Sequence, residues 1–187
     1  MELSNEKNES TSRGAGAGGS NTNKNGLPYE EMTDLKTEYT VMSTEKHHSI
    51  ISFAKNIDRT FKMTKQSGLF KCMNTVINKS IIKAHGCKNP DECYIDEMAN
   101  TIFIIEKKFQ QTSGSVCEKV QTSGFKVWQY SRSFPDYKIV YVYCLSDWFK
   151  DNCKAELEYL AYTNIPVFWG NDANYKNNII DFVINYK

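Results

Sequence analysis

The sequence predicts an α/β protein, a three-layer sandwich with a central mixed β-sheet flanked by helices. Three observations carry that reading. Residues 137–144 (Tyr-Lys-Ile-Val-Tyr-Val-Tyr-Cys) are apolar at both alternating sets of positions, as in a strand covered on both faces. Two strand-like runs, 89–96 and 101–111, enclose the polar turn Glu97-Met98-Ala99-Asn100, the pattern of a hairpin. Segments of helical period stand before and after them, giving the order helix, helix, hairpin, helix, strand, helix, strand, helix that layered α/β folds use.

Taken in order, residues 1–26 are Ser-, Asn-, Gly-, Glu- and Lys-rich. They are too polar to bury a face and read as a disordered low-complexity tail. Residues 27–187 then form a single domain. Pro28 suits the first turn of a helix. Over 43–66 the spacing of Ile50, Phe53, Ile57 and Phe61 predicts a helix capped by Ser43 or Thr44. A second helix is predicted over 70–85, with Met73, Ile77, Ile81 and Ala84 on one stripe and Gly86 as its stop. Arg59, Lys62, Lys65, Lys71 and Lys79 lie on the other faces of these two segments. After the hairpin, Ser115-Val116-Cys117-Glu118 is a capping-box pattern that starts a helix at Ser115. A helix over 147–162, a short strand over 165–170 and a final helix over 175–186 complete the chain.

The hairpin draws the functional argument, because charge follows directly on an easily buried Ile-Phe-Ile-Ile run. Side chains alternate along a strand, so Ile102, Ile104, Glu106, Lys108 and Gln110 share one face. A hairpin centred between Met98 and Ala99 pairs residues whose numbers sum to 197. That places Asp91 opposite Glu106, whereas Asp96 faces Thr101 at the other end. Cross-strand partners bring Cβ atoms to roughly 5 Å, a spacing at which two carboxylates suit one shared hard cation such as Mg²⁺.

At these residues the chain resembles the PD-(D/E)XK nuclease superfamily, and within it small type II restriction endonucleases. The motif is Pro90-Asp91 followed, after 14 intervening residues, by Glu106-Lys107-Lys108. The resemblance implies that Asp91 and Glu106 hold Mg²⁺ and that Lys108 orients or activates the attacking water. It also implies a restriction-endonuclease-like sandwich. Gly26-Leu27-Pro28-Tyr29-Glu30 resembles a segment of some relatives in which a first-helix Glu approaches the metal, so Glu30 is expected as a further ligand. The segment 110–119 resembles the loop and helix start after the motif, which would bring Gln110, Ser113, Gly114, Ser115 and Lys119 to DNA. Two other acidic-x-Lys triplets, at Asp34 and Asp136, lack a strand leading into them.

Composition narrows the classes. No apolar run reaches the 18 or so residues of a membrane span, and no secretory h-region opens the chain. A cytoplasmic setting is expected, or a nuclear one in a eukaryote. The six cysteines form no Cys-x-x-Cys pair and read as buried free thiols. His47, His48 and His85 lack a matching ligand cluster, and the His47-His48 pair reads as solvated surface. Net charge is +1, yet residues 44–138 hold 15 Lys and Arg against 9 Asp and Glu, a surplus of six. Basic charge around a carboxylate centre is what a phosphodiester substrate requires.

The function that the resemblance implies is a Mg²⁺-dependent endodeoxyribonuclease cutting double-stranded DNA at specific sites as a type II restriction endonuclease, with a homodimer expected if the target is a palindrome. Two alternatives share part of this evidence: a DNA repair nuclease or junction resolvase with the same site, and a non-catalytic DNA-binding module.

Overall fold

Among the described residues seven strands lie in one mixed sheet, helices cover both of its faces, and the chain is therefore α/β. The computed structural model describes residues 19–76, 81–113 and 115–187. Its elements are α1 (Gly19–Met32), β1 (Tyr39–Thr44), β2 (Ser49–Phe53), β3 (Asn56–Thr64), α2 (Gly68–Val76), β4 (Glu92–Asp96) and β5 (Thr101–Lys108). They continue with α3 (Val116–Gln121), α4 (Ser123–Ser133), β6 (Lys138–Leu145), α5 (Trp148–Asn152), α6 (Lys154–Tyr162), β7 (Val167–Trp169) and α7 (Tyr175–Asn185).

Spatial order follows chain order from β1 to β7. Neighbours from β1 to β5 are antiparallel, whereas β5–β6 and β6–β7 are parallel and need helical crossovers. Alternation along the strands divides the core in two. Cys93, Ile95, Ile102, Ile104, Tyr141 and Tyr143 pack with α2 to α6. Tyr94, Phe103, Ile105, Val140, Val142 and Cys144 pack with α1 and α7. The apolar run at 137–144 is thus β6, buried on both faces, as its sequence requires. No helix among the described residues is long and apolar enough to cross a membrane.

The helix expected over 43–66 is instead β2, β3 and the end of β1. Its apolar residues fit two periods at once, and the strand period wins: Ile51, Phe53 and Phe61 are buried while Ile57, which the helical stripe needed inside, is 72% exposed. Ile, Thr and Phe in this stretch also favour a pleated surface. In the segment 70–85, α2 ends at Val76. Ile77 lies outside the described residues, residues 81–84 have no regular structure, and Gly86 (φ +74°) serves a turn rather than a helix end.

Smaller corrections concern ends and caps. Pro28 lies inside α1, not in its first turn, because the helix begins at Gly19, within the stretch that composition assigned to the tail. Residues 1–18 lie outside the described residues. The helix expected over 147–162 is two, α5 and α6, broken at Cys153 (φ −132°, ψ 48°). Cys153 is not a free thiol: it is joined to Cys117 in a disulfide across 36 residues, while Cys72, Cys87, Cys93 and Cys144 remain buried thiols.

Candidate active site

The β4–β5 hairpin has the register read from its sequence. Glu92 pairs with Ile105, Tyr94 with Phe103 and Asp96 with Thr101, each pair summing to 197. Asp91, one residue before β4, therefore stands at the level of Glu106, and its Oδ2 accepts the backbone N–H of Lys107 at 2.8 Å. Asn100 at φ 46° closes the turn, with the Ala99 N–H bonded to Asp96 Oδ1 at 3.0 Å. Register and turn together put Ile102, Ile104, Glu106 and Lys108 on the face covered by α2 to α6.

At the open end of that face charge replaces apolar packing. Lys108 Nζ lies 2.7 Å from Glu106 Oε1 and 3.8 Å from Asp91 Oδ2. A second ammonium reaches the same oxygen: Lys126, from α4, donates to Glu106 Oε1 at 3.2 Å, with its Nζ 5.9 Å and 5.8 Å from the rings of Tyr141 and Tyr143. The Glu106 side chain keeps only 10% exposure, and that of Lys108 keeps 23%, so the ammonium is the more open to an incoming group.

These contacts drive the two carboxyls apart. Burial raises Asp91 above the ordinary carboxylate range, Lys108 opposes that shift and Glu106 adds to it. Burial acts on Glu106 in the same direction, yet Lys108 and then Lys126 overcome it and hold its pKa low. Lys108 is desolvated too, but Glu106 and Asp91 keep its pKa above the usual lysine value. It is therefore a fixed cation at neutral pH.

Glu30 belongs to the same cluster. Its carboxyl is raised by burial and then by Asp91, and it also feels Lys107, Lys108 and Glu106. Helix α1 is held against the sheet by Tyr29, whose ring packs on Phe109 at 5.3 Å and whose hydroxyl meets Cys144 Sγ at 3.5 Å. Any side chain on Gly170 would overlap that hydroxyl, so this glycine permits the approach that brings Glu30 near Asp91.

Hard oxygen donors from Asp91, Glu106 and Glu30 fit Mg²⁺. Three carboxylates against the ammoniums of Lys108 and Lys126 leave one net negative charge, and burial first, then the neighbouring carboxylates, raise Glu30 and Asp91. The three do not bring one oxygen each within 4.8 Å of one another. Among the described residues only Cys117, Cys153 and Glu156 do so, and those two sulfurs are already bonded to each other.

Sequence reasoning missed two lysines. Lys126 entered only as charge; its signal was a Lys on the stripe Ser123, Lys126, Tyr130, Ser133 that α4 turns inward. Lys107 points to the opposite face of the sheet, where its Nζ lies 2.8 Å from Glu92 Oε2, both side chains being at most 3% exposed. This is an ion pair rather than an aligned hydrogen bond, since Oε2 has no hydrogen-bond partner. The Tyr94 hydroxyl donates to the other Glu92 oxygen, and Lys107 Nζ also donates to the Glu30 carbonyl at 3.3 Å.

The expected DNA contacts are placed unevenly. Gln110 is tied down: its N–H donates to Ser146 Oγ at 3.1 Å and its amide to the Thr112 carbonyl at 2.6 Å. Ser113, Ser115 and Lys119 are exposed beyond the end of β5, and Gly114 lies outside the described residues. Ser115 stands at the N-cap of α3 but makes no side-chain cap bond, so the capping box with Glu118 does not form. Of the basic residues placed on outer faces, Arg59, Lys62 and Lys65 pair with Asp96, Glu97 and Asp34, and Lys79 lies outside the described residues.

Comparison of the chain with protein-family models, curated proteins and solved structures finds no match.

Proposed function

We propose that the chain is a Mg²⁺-dependent endodeoxyribonuclease of the PD-(D/E)XK kind, with a restriction-endonuclease-like sandwich and double-stranded DNA as substrate. One observation carries this reading: Asp91 and Glu106 meet across a hairpin whose next inward residue, Lys108, sets one ammonium 2.7 Å from Glu106 and 3.8 Å from Asp91. Two structural carboxylates would need only pairing. Here one of them is kept above its ordinary pKa at the edge of the sheet, which favours a functional site.

Mg²⁺ held by Asp91 and Glu106 would supply Lewis-acid polarisation of a phosphoryl oxygen, and Glu30, too far to converge directly with both, would reach it through a water. The remaining steps belong to the protein. Lys108, whose ammonium form Glu106 and Asp91 favour over its burial, would orient or activate the attacking water and offset charge developing on the phosphate. Lys126 fixes Glu106 from the helix side, and the Lys107 N–H fixes Asp91. Sequence-specific cleavage as a type II restriction endonuclease is the most economical assignment, with a homodimer matching palindromic sites. The reading places the chain in the cytoplasm, a compartment in which disulfides are rare, and the Cys117–Cys153 bond counts against that placement.

Incubation with phage-length DNA, with Mg²⁺ or with chelator, followed by sequencing of fragment ends, tests the proposal. Discrete ends that need Mg²⁺ support a site-specific enzyme. Scattered Mg²⁺-dependent ends would point to a repair nuclease, and intact DNA under both conditions would remove the enzymatic reading.

A further inference from the structure

The strand ends that carry Asp91 also carry an open hollow of about 370 Å³, walled by the β1–β2 turn, the end of β3 and the first turn of α2. It is a built feature. The Glu45 N–H bonds the His48 carbonyl at 2.8 Å, closing the turn, and Thr64 Oγ1 donates to the His47 carbonyl at 3.1 Å. A side chain on Gly68 would overlap Thr64 Oγ1 and press on the His47 carbonyl, so α2 starts hard against the turn only because that residue has none.

The lining is basic. Lys46, His47, His48, Lys65 and Lys71 face the hollow, against a single carboxylate, Glu45. Asp34 engages Lys65 and Glu97 engages Lys62, while burial first and then Lys62 hold the His48 pKa below the usual imidazole value. Lys46 and Lys71 are exposed and form no ion pair among the described residues. The β1–β2 turn and α2 thus bring two cations, Lys46 and Lys71, and two imidazoles to one concavity, as an anion site requires.

Its position relative to the carboxylates gives the anion a source. Thr64 pairs with Cys93, and the Gln66 N–H bonds the Pro90 carbonyl at 2.9 Å, so the hollow and Asp91 share one end of the sheet. Two to three strand spacings separate the hollow from Glu106, roughly 10–15 Å. A span of that size lies within a few nucleotides of one duplex. We propose that the hollow is a second phosphate site, in which Lys46 and Lys71 hold a backbone phosphodiester of the same duplex that presents its scissile phosphate to Lys108. The assignment rests on the nuclease reading and adds the track along which the duplex lies.

The test measures binding of a fluorescent duplex in chelator across a salt series, for wild type and for Lys46→Ala/Lys71→Ala, with plasmid cleavage in Mg²⁺ run in parallel. Both lysines are exposed, so the melting temperature of the variant serves as the folding control. The expected result is duplex affinity weakened on the order of tenfold, with the slope of log affinity against log salt shallower by about one to two. Unchanged affinity and slope in the variant, beside a wild type that cleaves, would overturn the second site and leave the nuclease intact. A wild type that neither binds nor cleaves duplex would overturn the nuclease reading, and this one with it. Displacement of duplex by inorganic phosphate at matched ionic strength would make the hollow a site for the free ion and also overturn the assignment.

Discussion

Lys126 Nζ sits 3.2 Å from Glu106 Oε1, the same oxygen that Lys108 reaches at 2.7 Å. One carboxylate oxygen therefore carries two ammoniums, one from its own strand and one from the helix packed over it. A cation binding at Glu106 meets repulsion from both. Replacing Lys126 by Met removes one of these charges while keeping an aliphatic stem over Tyr141 and Tyr143. The expected outcome is a lower half-saturating Mg²⁺ concentration, by roughly tenfold for each ~1.4 kcal/mol of relieved repulsion, together with slower turnover because Glu106 loses its anchor. A Mg²⁺ titration of cleavage checks both directions.

Asp91→Asn, Glu106→Gln and Lys108→Ala each remove a group that the proposed mechanism assigns to the reacting phosphate or its metal. Each is expected to lower kcat/KM by at least about 10²- to 10³-fold, with duplex affinity in chelator changed less than about threefold. Single-turnover cleavage and anisotropy binding separate the two effects. A variant that retains near-normal turnover would lose its place in the site.

Acidification should act through Asp91 and Glu30, whose pKa values are raised, and not through Glu106, whose value is lowered. Metal ligation needs the ionised carboxylates, so Mg²⁺ affinity should fall as pH drops through a window above the ordinary carboxylate value near 4. The sign for folding without metal is the reverse: a raised carboxyl destabilises the fold as pH rises from its unfolded to its folded pKa. Thermal melts between about pH 4 and 7, with and without Mg²⁺, should show Mg²⁺ stabilising most at the upper end.

Lys107, one residue before Lys108, should behave differently. Lys107→Met leaves Glu92 buried on the far face without its cation, a change that typically costs about 3–5 kcal/mol. Adding Glu92→Gln should recover part of that loss. Denaturant unfolding of the single and double variants measures it, while Lys108→Ala, which leaves Glu106 its contact with Lys126, should cost less stability and more rate.

Reduction of the Cys117–Cys153 bond should lower stability by about 3–4 kcal/mol for a closed loop of this size. It should not abolish cleavage, because Asp91, Glu106 and Lys108 lie on or beside β4 and β5, neither of which the bond joins. Melting and cleavage with and without a thiol reductant check both.

The parts legible in the sequence were those fixed by short-range pattern. The turn at 97–100 sets the hairpin register, and that register places Asp91 level with Glu106; the doubly apolar run at 137–144 can only be an inner strand. The stretch 43–66 misled because Ile50, Phe53, Ile57 and Phe61 fit a helical stripe, while Ile51, Phe53, Phe61 and Met63 fit two strands, and only packing against Tyr94 and Phe103 decides between them. Lys126 and the disulfide escaped for a different reason. Each depends on α3, α4 and α5 folding back over the sheet, which brings together residues 20 and 36 positions apart, and no local spacing encodes that return.

The central claim is that the carboxylates at Asp91 and Glu106, with Lys108, hydrolyse DNA with a divalent cation. Supercoiled plasmid incubated in parallel with wild type and Asp91→Asn, in Mg²⁺ and in chelator, tests it most directly. The account predicts nicked or linear product from wild type in Mg²⁺ alone and none from the variant. Equal product from both proteins, or none from wild type with Mg²⁺ present, would contradict it.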